Sequence, residues 1–454
     1  MALPPVFAAS ALYDNLLQSA LRQFFGRATF ETEPIPSLSS DGRLAIEPTT
    51  DPSVLSIRWF GSRHVLHVPA KRPFTQHEVR LAKAIGSVLA LRYRAIFDPR
   101  QMLERGDLFR GAIEDRYVGA FLDAGEKTEG GQSRGDLVSG MLEVLRVAAL
   151  SSYENRPISS GALLIDALGR EGGALGGVDG QPYKYSQALT AIKSFYRLSD
   201  GLKTMFLVNR EGTVLDVIGI DQYTAPAAGA TPPVLDVPGP SAYRAHVMAT
   251  AGNRNIGVVL SASREIKVFA QGVEVFSFRN ARWHLLDMQA KYDMWEKAVG
   301  NEALARRVFQ TALDLSDSRQ GALFVVLQDP DKSLPQLVAP ADRLDAPRTK
   351  AGEKPDRGQL LYIFRGQTAT ALDPAILSGL ARMDGATVMD GTGRLLAVGA
   401  ILLHSEPPEP HSTLAVEGAR TTAAMAAARH GAVIKVSEDG LITFYEKQEK
   451  IWDI

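Results

Sequence analysis

Residues 383–403 read MDGATVMDGTGRLLAVGAILL, and residues 199–220 read SDGLKTMFLVNREGTVLDVIGI. Each stretch opens on Asp-Gly, runs through a short apolar segment, breaks at a turn (DGTGR or NREGT) and continues into a second apolar segment. Two apolar runs joined by a Gly-bearing turn predict a β-hairpin. The hairpins belong to a longer recurrence. SSGALLIDAL (159–168) precedes the first and RQGALFVVLQD (319–329) the second; GNRNIGVVLSASREIKVF (252–269) follows the first and AARHGAVIKVSEDGLITFY (427–445) the second. Landmarks repeated in one order predict a duplicated domain, because insertions between them cost little.

The expected fold class is therefore α/β, a mixed sheet with flanking helices in two tandem copies. The first copy, degenerate, occupies 135–296 with its core over 135–280, and the second occupies 297–454. The segment 281–315 reads as largely helical and joins the copies. Residues 1–130 read as a separate N-terminal α+β domain with a helical connector. RATFETEPI, SVLSIRWFG and HVLHVPA are strand-like there, and FTQHEVRLAKAIGSVLALRYRAIF carries apolar residues at helical spacing behind Thr75 as N-cap. His64, His67 and His77 show no spacing that fixes a metal site. Polar or Pro-rich connections fall at 124–135, 224–241, 329–358 and 404–413.

Bulk composition narrows the function. A chain of 454 residues exceeds one ordinary core. Its 45% hydrophobic and 22% charged content is ordinary for a globular protein, and a net charge of −1 supplies no global attraction to nucleic acid or acidic membrane. Cysteine is absent, which excludes disulfides and thiol chemistry and fits the cytoplasm. The opening residues lack a basic stretch, are interrupted by Asp14 and match a secretory signal poorly; no run nears the roughly 18 apolar residues of a membrane span. Neither nucleic acid nor membrane is an expected partner.

The chemistry concentrates in the second copy. VEGARTTAAMAAARHGAVIKV contains an Ala-rich helix, with Gly431 expected as the left-handed residue that ends it. Gly418, Arg420, Thr421 and Thr422 then lie at the helix start, where free amides and the helix dipole attract an anion. Arg420 can fork onto phosphate oxygens, and both hydroxyls can donate to them. Routine capping by Thr421 or Thr422 is the plainer reading. Asp384, followed by the small Gly385 and Ala386, can hold a divalent metal or a ribose hydroxyl, or simply form a tight turn. Ser437 and Glu438 open a further acidic turn with the same ambiguity.

GALFVVLQD, MDGATVMDGTGRLLAVGAILLHS, GARTTAAMAAA and GAVIKVSEDGLITFY together resemble, in order, the landmarks of the diadenylate cyclase (DAC) domain, which also forms the N-terminal part of the DNA-integrity scanning protein. The resemblance covers roughly 300–454, with a weaker echo at 150–275. It implies that Asp384, Gly385 and Ala386 serve ribose and metal, that Gly418 and Arg420 serve phosphates, and that Ser437 and Glu438 match a later acidic turn. Where the family has Thr-Arg-His-Arg, this chain has Ala419-Arg420-Thr421-Thr422, so one cation and the histidine are gone. In the first copy Asp200-Gly201 persists, with Arg244 and His246 as loose counterparts of the phosphate motif.

The resemblance supports a nucleotide-binding protein that senses ATP or a cyclic (di)nucleotide. One alternative is an active cyclase condensing two ATP into cyclic di-AMP, with Asp384 catalytic and holding Mg²⁺ or Mn²⁺; without turnover no cofactor is implied. A second is a vestigial dimerisation scaffold. Pockets facing each other within the chain, or across a homodimer, are both open.

Overall fold

The computed structural model describes residues 5–25, 28–35, 44–47, 49–68, 72–123, 133–153, 155–166, 183–192, 195–224, 235–345, 357–403 and 418–454. The connection 404–413 and parts of 124–135, 224–241 and 329–358 lie outside them. The chain divides into two compact units, 1–235 with 243–287, and 236–242 with 288–454. Both are mixed α/β.

In the first unit, β1 (Thr29–Pro34), β2 (Ala45–Glu47), β3 (Val54–Trp59) and β4 (Ser62–His67) form an antiparallel sheet in the order β1-β4-β3-β2. Helices α1 (Pro5–Phe24) and α2 (Gln76–Phe97) share its core through Leu17, Leu21, Leu81, Ile85 and Leu89. Thr75 caps α2 with a reciprocal capping box: its hydroxyl accepts from the Glu78 amide at 3.1 Å, and the Glu78 carboxylate accepts from the Thr75 amide at 2.9 Å. Two of the three histidines pair singly with carboxylates, His64 with Asp14 at 2.8 Å and His77 with Asp287 at 2.7 Å.

Helices α3 (Pro99–Glu104), α4 (Ile113–Leu122) and α5 (Arg134–Leu150) follow, then a short ladder of β5 (Ser152–Tyr153) and β6 (Arg156–Pro157). Helices α4 and α5 approach closely because Gly119 lies against the Gly135 backbone, where a Cβ would have no room. The strands β7 (Ser160–Leu164), β8 (Thr204–Val208), β9 (Val214–Gly219), β10 (Ile256–Leu260), β11 (Ile266–Ala270), β12 (Val273–Arg279) and β13 (Arg282–Leu285) form a sheet in the order β13-β12-β11-β10-β7-β8-β9. The short helices α6 (Phe195–Leu198) and α7 (Ile220–Tyr223) and the longer α8 (Arg244–Thr250) complete this unit. One hydrophobic core runs from Tyr13 through α5 to Trp283, so the N-terminal sheet and the first copy share it.

The second unit begins with α9 (Met288–Val299) and α10 (Glu302–Asp317). Between β14 (Ala322–Leu327) and β15 (Ala386–Asp390) lie α11 (Pro330–Leu337), α12 (Arg357–Leu361) and α13 (Pro374–Ala381). Then come β16 (Leu395–Ala400), α14 (Ala419–Ala427), β17 (Gly431–Val436), β18 (Ile442–Glu446) and β19 (Glu449–Asp453). The sheet order is β16-β15-β14-β17-β18-β19. Strand for strand this matches β9-β8-β7-β10-β11-β12, including the single parallel neighbour pair, β7 with β8 and β14 with β15. The turns match as well. Asn209 and Asp390 each accept two following amides on the side chain, with Gly212 and Gly393 at positive φ. Ser261 and Ser437 each open a turn whose positive-φ residue is Arg264 or Gly440.

Those turns set a register that differs from the one the sequence suggests. Phe206, three residues before Asn209, pairs with Ala162; Thr387, three before Asp390, pairs with Phe324. Ala162 therefore corresponds to Phe324, and Lys203 rather than Asp200 corresponds to Asp384. The Gly-Ala-Leu and Asp-Gly matches are out of structural register by two and three residues. A tripeptide and a dipeptide are short enough to slide, whereas ladder pairing is discrete.

Asp200 accordingly does a different job. Its carboxylate accepts the amides of Leu202, Lys203 and Thr204 at 2.7–2.9 Å and the Thr204 hydroxyl at 3.3 Å. Burial alone would raise its pKa, but these bonds hold it below the ordinary carboxylate value. Gly201, at φ 73°, rests against the Ser160 carbonyl, and Ser199 bonds both the amide and the carbonyl of Gly161 at 3.0 Å. His246, 1% exposed, meets the Gly201 carbonyl through Nε2 at 2.8 Å. The loop is tied down.

Gly431 corrects another expectation. Helix α14 ends at Ala428 in right-handed conformation, and Gly431 is the first residue of β17, where a Cβ would overlap the Val326 carbonyl. The glycine serves close approach between strands, not left-handed capping. Gly431→Ala is expected to cost about 2 kcal/mol or more by overpacking, and Gly418→Ala, in open space, under about 1 kcal/mol. Urea unfolding of both variants checks this ordering.

Burial lowers the pKa of His246 below 6.5, opposed by its bond to Gly201. Because the unfolded chain then takes the proton first, the stability from this neutral histidine is complete above about pH 6.5 and is lost as pH falls toward the depressed folded value, at up to about 1.4 kcal/mol per pH unit. His246→Gln should remove that component, so the gap between wild type and variant should narrow from pH 8 to pH 5.5. A gap independent of pH, read from urea midpoints, would refute the assignment.

Candidate active or binding site in the second unit

Asp384 stands just ahead of β15, and the backbone fixes it there. Gly385 has φ 107°, and a Cβ on it would lie 2.5 Å from the Gly399 carbonyl carbon. Gly399, at φ 59° on β16, also lacks room for a Cβ because the Arg357 guanidinium fills that space. Arg357 donates to the Gly399 carbonyl at 2.7 Å and to the Asp384 carbonyl at 3.4 Å. Ala386 is fully buried in the sheet, while the Asp384 carboxylate is fully in solvent.

Helix α14 brings the second group. Its N-cap is Gly418, with extended backbone and no side-chain cap, so neither threonine takes that role. Ala424, Ala427 and Ala428 are buried against Leu323, Val325 and Val433, which sets the helix close to the sheet. Its first turn then carries the Arg420 guanidinium over Gly321, at the head of β14, where any Cβ would collide with it. Nη1 donates to the Glu438 carboxylate at 2.9 Å, and Nη2 lies 3.9 Å from the Asp384 carboxylate. Arg420, Asp384 and Glu438 are thus brought together from three segments.

The remaining residues are arranged around this group. Thr421 is 6% exposed, and its hydroxyl accepts from the Lys435 ammonium at 2.8 Å. Thr422 follows, half-buried. The Ser437 hydroxyl donates within its own turn to Asp439 and to the Leu441 carbonyl. Sequence reading missed Lys435, Arg357, Gly321 and Gly399. Lys435 is hidden in an apolar strand pattern, and Arg357 follows a polar connection; the glycines matter only through what packs above them.

The ion pairs here are weakly held. Glu438 is 75% exposed and Asp384 wholly so, and exposed pairs contribute roughly 0–1 kcal/mol. An incoming polyanion can therefore take the guanidinium from Glu438 at little cost. Among the described residues no group of three or more His, Asp or Glu is placed to hold a metal. Asp384 with Glu438 suits Mg²⁺ only in its common mode, one or two carboxylates supplemented by substrate phosphates and water. No helix among the described residues is long and apolar enough to cross a membrane.

No protein-family model matches the chain, and no curated protein matches it. Solved structures with partial likeness include the following two. A hypothetical membrane spanning protein from Bacillus cereus is 19% identical over 32% of this chain and 61% of its own, with a TM-score of 0.22. A double mutant of DacA from Staphylococcus aureus is 19% identical over 36% of this chain and 89% of its own, with a TM-score of 0.20.

Proposed function

We propose that the second unit binds a nucleotide, ATP or a cyclic (di)nucleotide, at the head of β14 and α14, and that the protein acts as a sensor of it. The observation that carries this reading is the Arg420 guanidinium, seated over Gly321 beside Asp384 and Glu438 at the start of a nine-residue helix. A guanidinium at a helix start forks onto phosphate oxygens. Lys435, on Thr421, adds a second cation nearby. The Asp384 carboxylate is free to accept from ribose hydroxyls.

Sensing is preferred over turnover on chemical grounds. Condensing two ATP requires attack of a 3′-hydroxyl on the α-phosphorus of the other nucleotide, with pyrophosphate leaving, twice per cyclic product. Charge-assisted donors stabilise the departing pyrophosphate, and this helix start supplies one arginine. Binding tolerates a lost donor better than the transition state does. The cyclase reading has one observation in its favour, an Asp384 carboxylate left in solvent across from Arg420. A divalent metal on Asp384 would there lower the cost of bringing phosphates together, and Asp384 would orient the attacking hydroxyl.

Calorimetric titration with ATP and with cyclic di-AMP tests the proposal. Binding is expected for at least one of them, weakened roughly 10- to 100-fold by Arg420→Gln, the scale of a lost charge-assisted bond. Gly321→Ala, which displaces the guanidinium, should weaken it in the same direction. Absence of binding to either nucleotide leaves the scaffold reading. Cyclic di-AMP made from ATP and Mn²⁺ by wild type, and lost in Asp384→Asn, would instead establish the cyclase.

A further inference from the structure

A different part of the molecule holds an unassigned group of cations. In the first unit a cleft of about 100 Å³ is lined by Arg80, Arg134 and Arg254, with Phe121, Ile256 and Val275 as apolar wall. No acidic side chain is among its described lining. It lies by the start of β10 and the end of β11, at the opposite end of those strands from the Asp200-Gly201 loop.

Each guanidinium is held in place. Arg80, on α2, lies over the Phe121 ring with its carbon 4.7 Å from the centroid. Arg134, in the first turn of α5 and 10% exposed, donates to Asp166 at 2.5 Å and to the Arg254 carbonyl. Arg254 reaches the same Asp166 carboxylate at 3.8 Å, and Arg210 reaches it at 2.8 Å. Asp166 thus stands behind the lining among three guanidiniums, and Asp123 is the acid that acts on Arg80. Burial pulls the pKa of both Arg80 and Arg134 down, the mark of cations packed where water is scarce.

We propose that this cleft binds a phosphate monoester, its phosphoryl group between Arg80, Arg134 and Arg254 and its organic body against Phe121 and Val275. Guanidiniums from three segments, pre-oriented by a ring and a shared carboxylate, match the forked geometry that phosphate oxygens accept. The apolar wall beside them favours an ester over free phosphate. The inference does not depend on the nucleotide site in the second unit.

The test is calorimetric titration of the full chain with inorganic phosphate and with glycerol 3-phosphate, against chloride at matched ionic strength. Saturable binding is expected, tighter for the ester. It should weaken tenfold or more in Arg254→Gln, whose side chain is 43% exposed and so replaceable without unfolding. Tighter binding of inorganic phosphate would keep the site and reassign its ligand to free phosphate. Failure of both probes to bind, or binding that Arg254→Gln leaves intact, would overturn the proposal and reduce the arginines to a structural cluster around Asp166.

Discussion

The space above one missing side chain organises the second unit. Gly321 precedes β14, and the Arg420 guanidinium occupies the volume a Cβ would take. That placement is possible because α14 sits low on the sheet, on alanines, and because Gly431 lets β17 close against the Val326 carbonyl. Any larger residue at these positions would lift the helix or push the arginine into solvent. The position of the charge is therefore a packing result, and the chemistry follows from it.

The two sheets isolate what a site adds to a fold. Their strand order, their one parallel neighbour pair and their Asx-type turns agree, yet the heads of the strands differ. In the first sheet the Asp200 carboxylate is consumed by its own loop, and His246 clamps that loop through a carbonyl. Lys203 stands where the register puts Asp384. Arg244, exposed, precedes Val258, the partner of Ala162, by the same 14 residues as Arg420 precedes Ile434, the partner of Phe324, but it faces no corresponding aspartate. One head is a closed structural knot; the other leaves its charges outward.

Much of this was legible from residues. Hairpin patterning located β8, β9, β15 and β16, and the Ala-rich run located α14, because periodicity and turn chemistry act locally. Asp384 and Arg420 are expected from the sequence to converge, and their side chains lie 3.9 Å apart, with Glu438 on the other side of the guanidinium. Register was not legible: a shared Gly-Ala-Leu and Asp-Gly carry too little information to fix a ladder, and only the hydrogen bonds of Asn209 and Asp390 place the copies correctly. Gly431 was misread since a glycine before a strand can serve either a helix end or a tight interstrand contact. The strand β2 and the roles of Gly321 and Arg357 depend on distant partners, which no window of sequence contains.

Burial separates ion pairs that build the fold from those that remain available. Asp115, 2% exposed, accepts Arg146 at 2.6 Å and the Trp283 indole at 2.7 Å. Burial pushes its pKa up against both partners, so removing Arg146 would strand a buried charge at about 3–5 kcal/mol. That network joins α4, α5 and β13 and has nothing left to offer a ligand. Arg420 is held by two solvent-exposed carboxylates worth at most about 1 kcal/mol each, enough to orient the guanidinium and too little to keep it from a phosphate. A cation aimed by packing but loosely neutralised is the condition a reversible anion site requires.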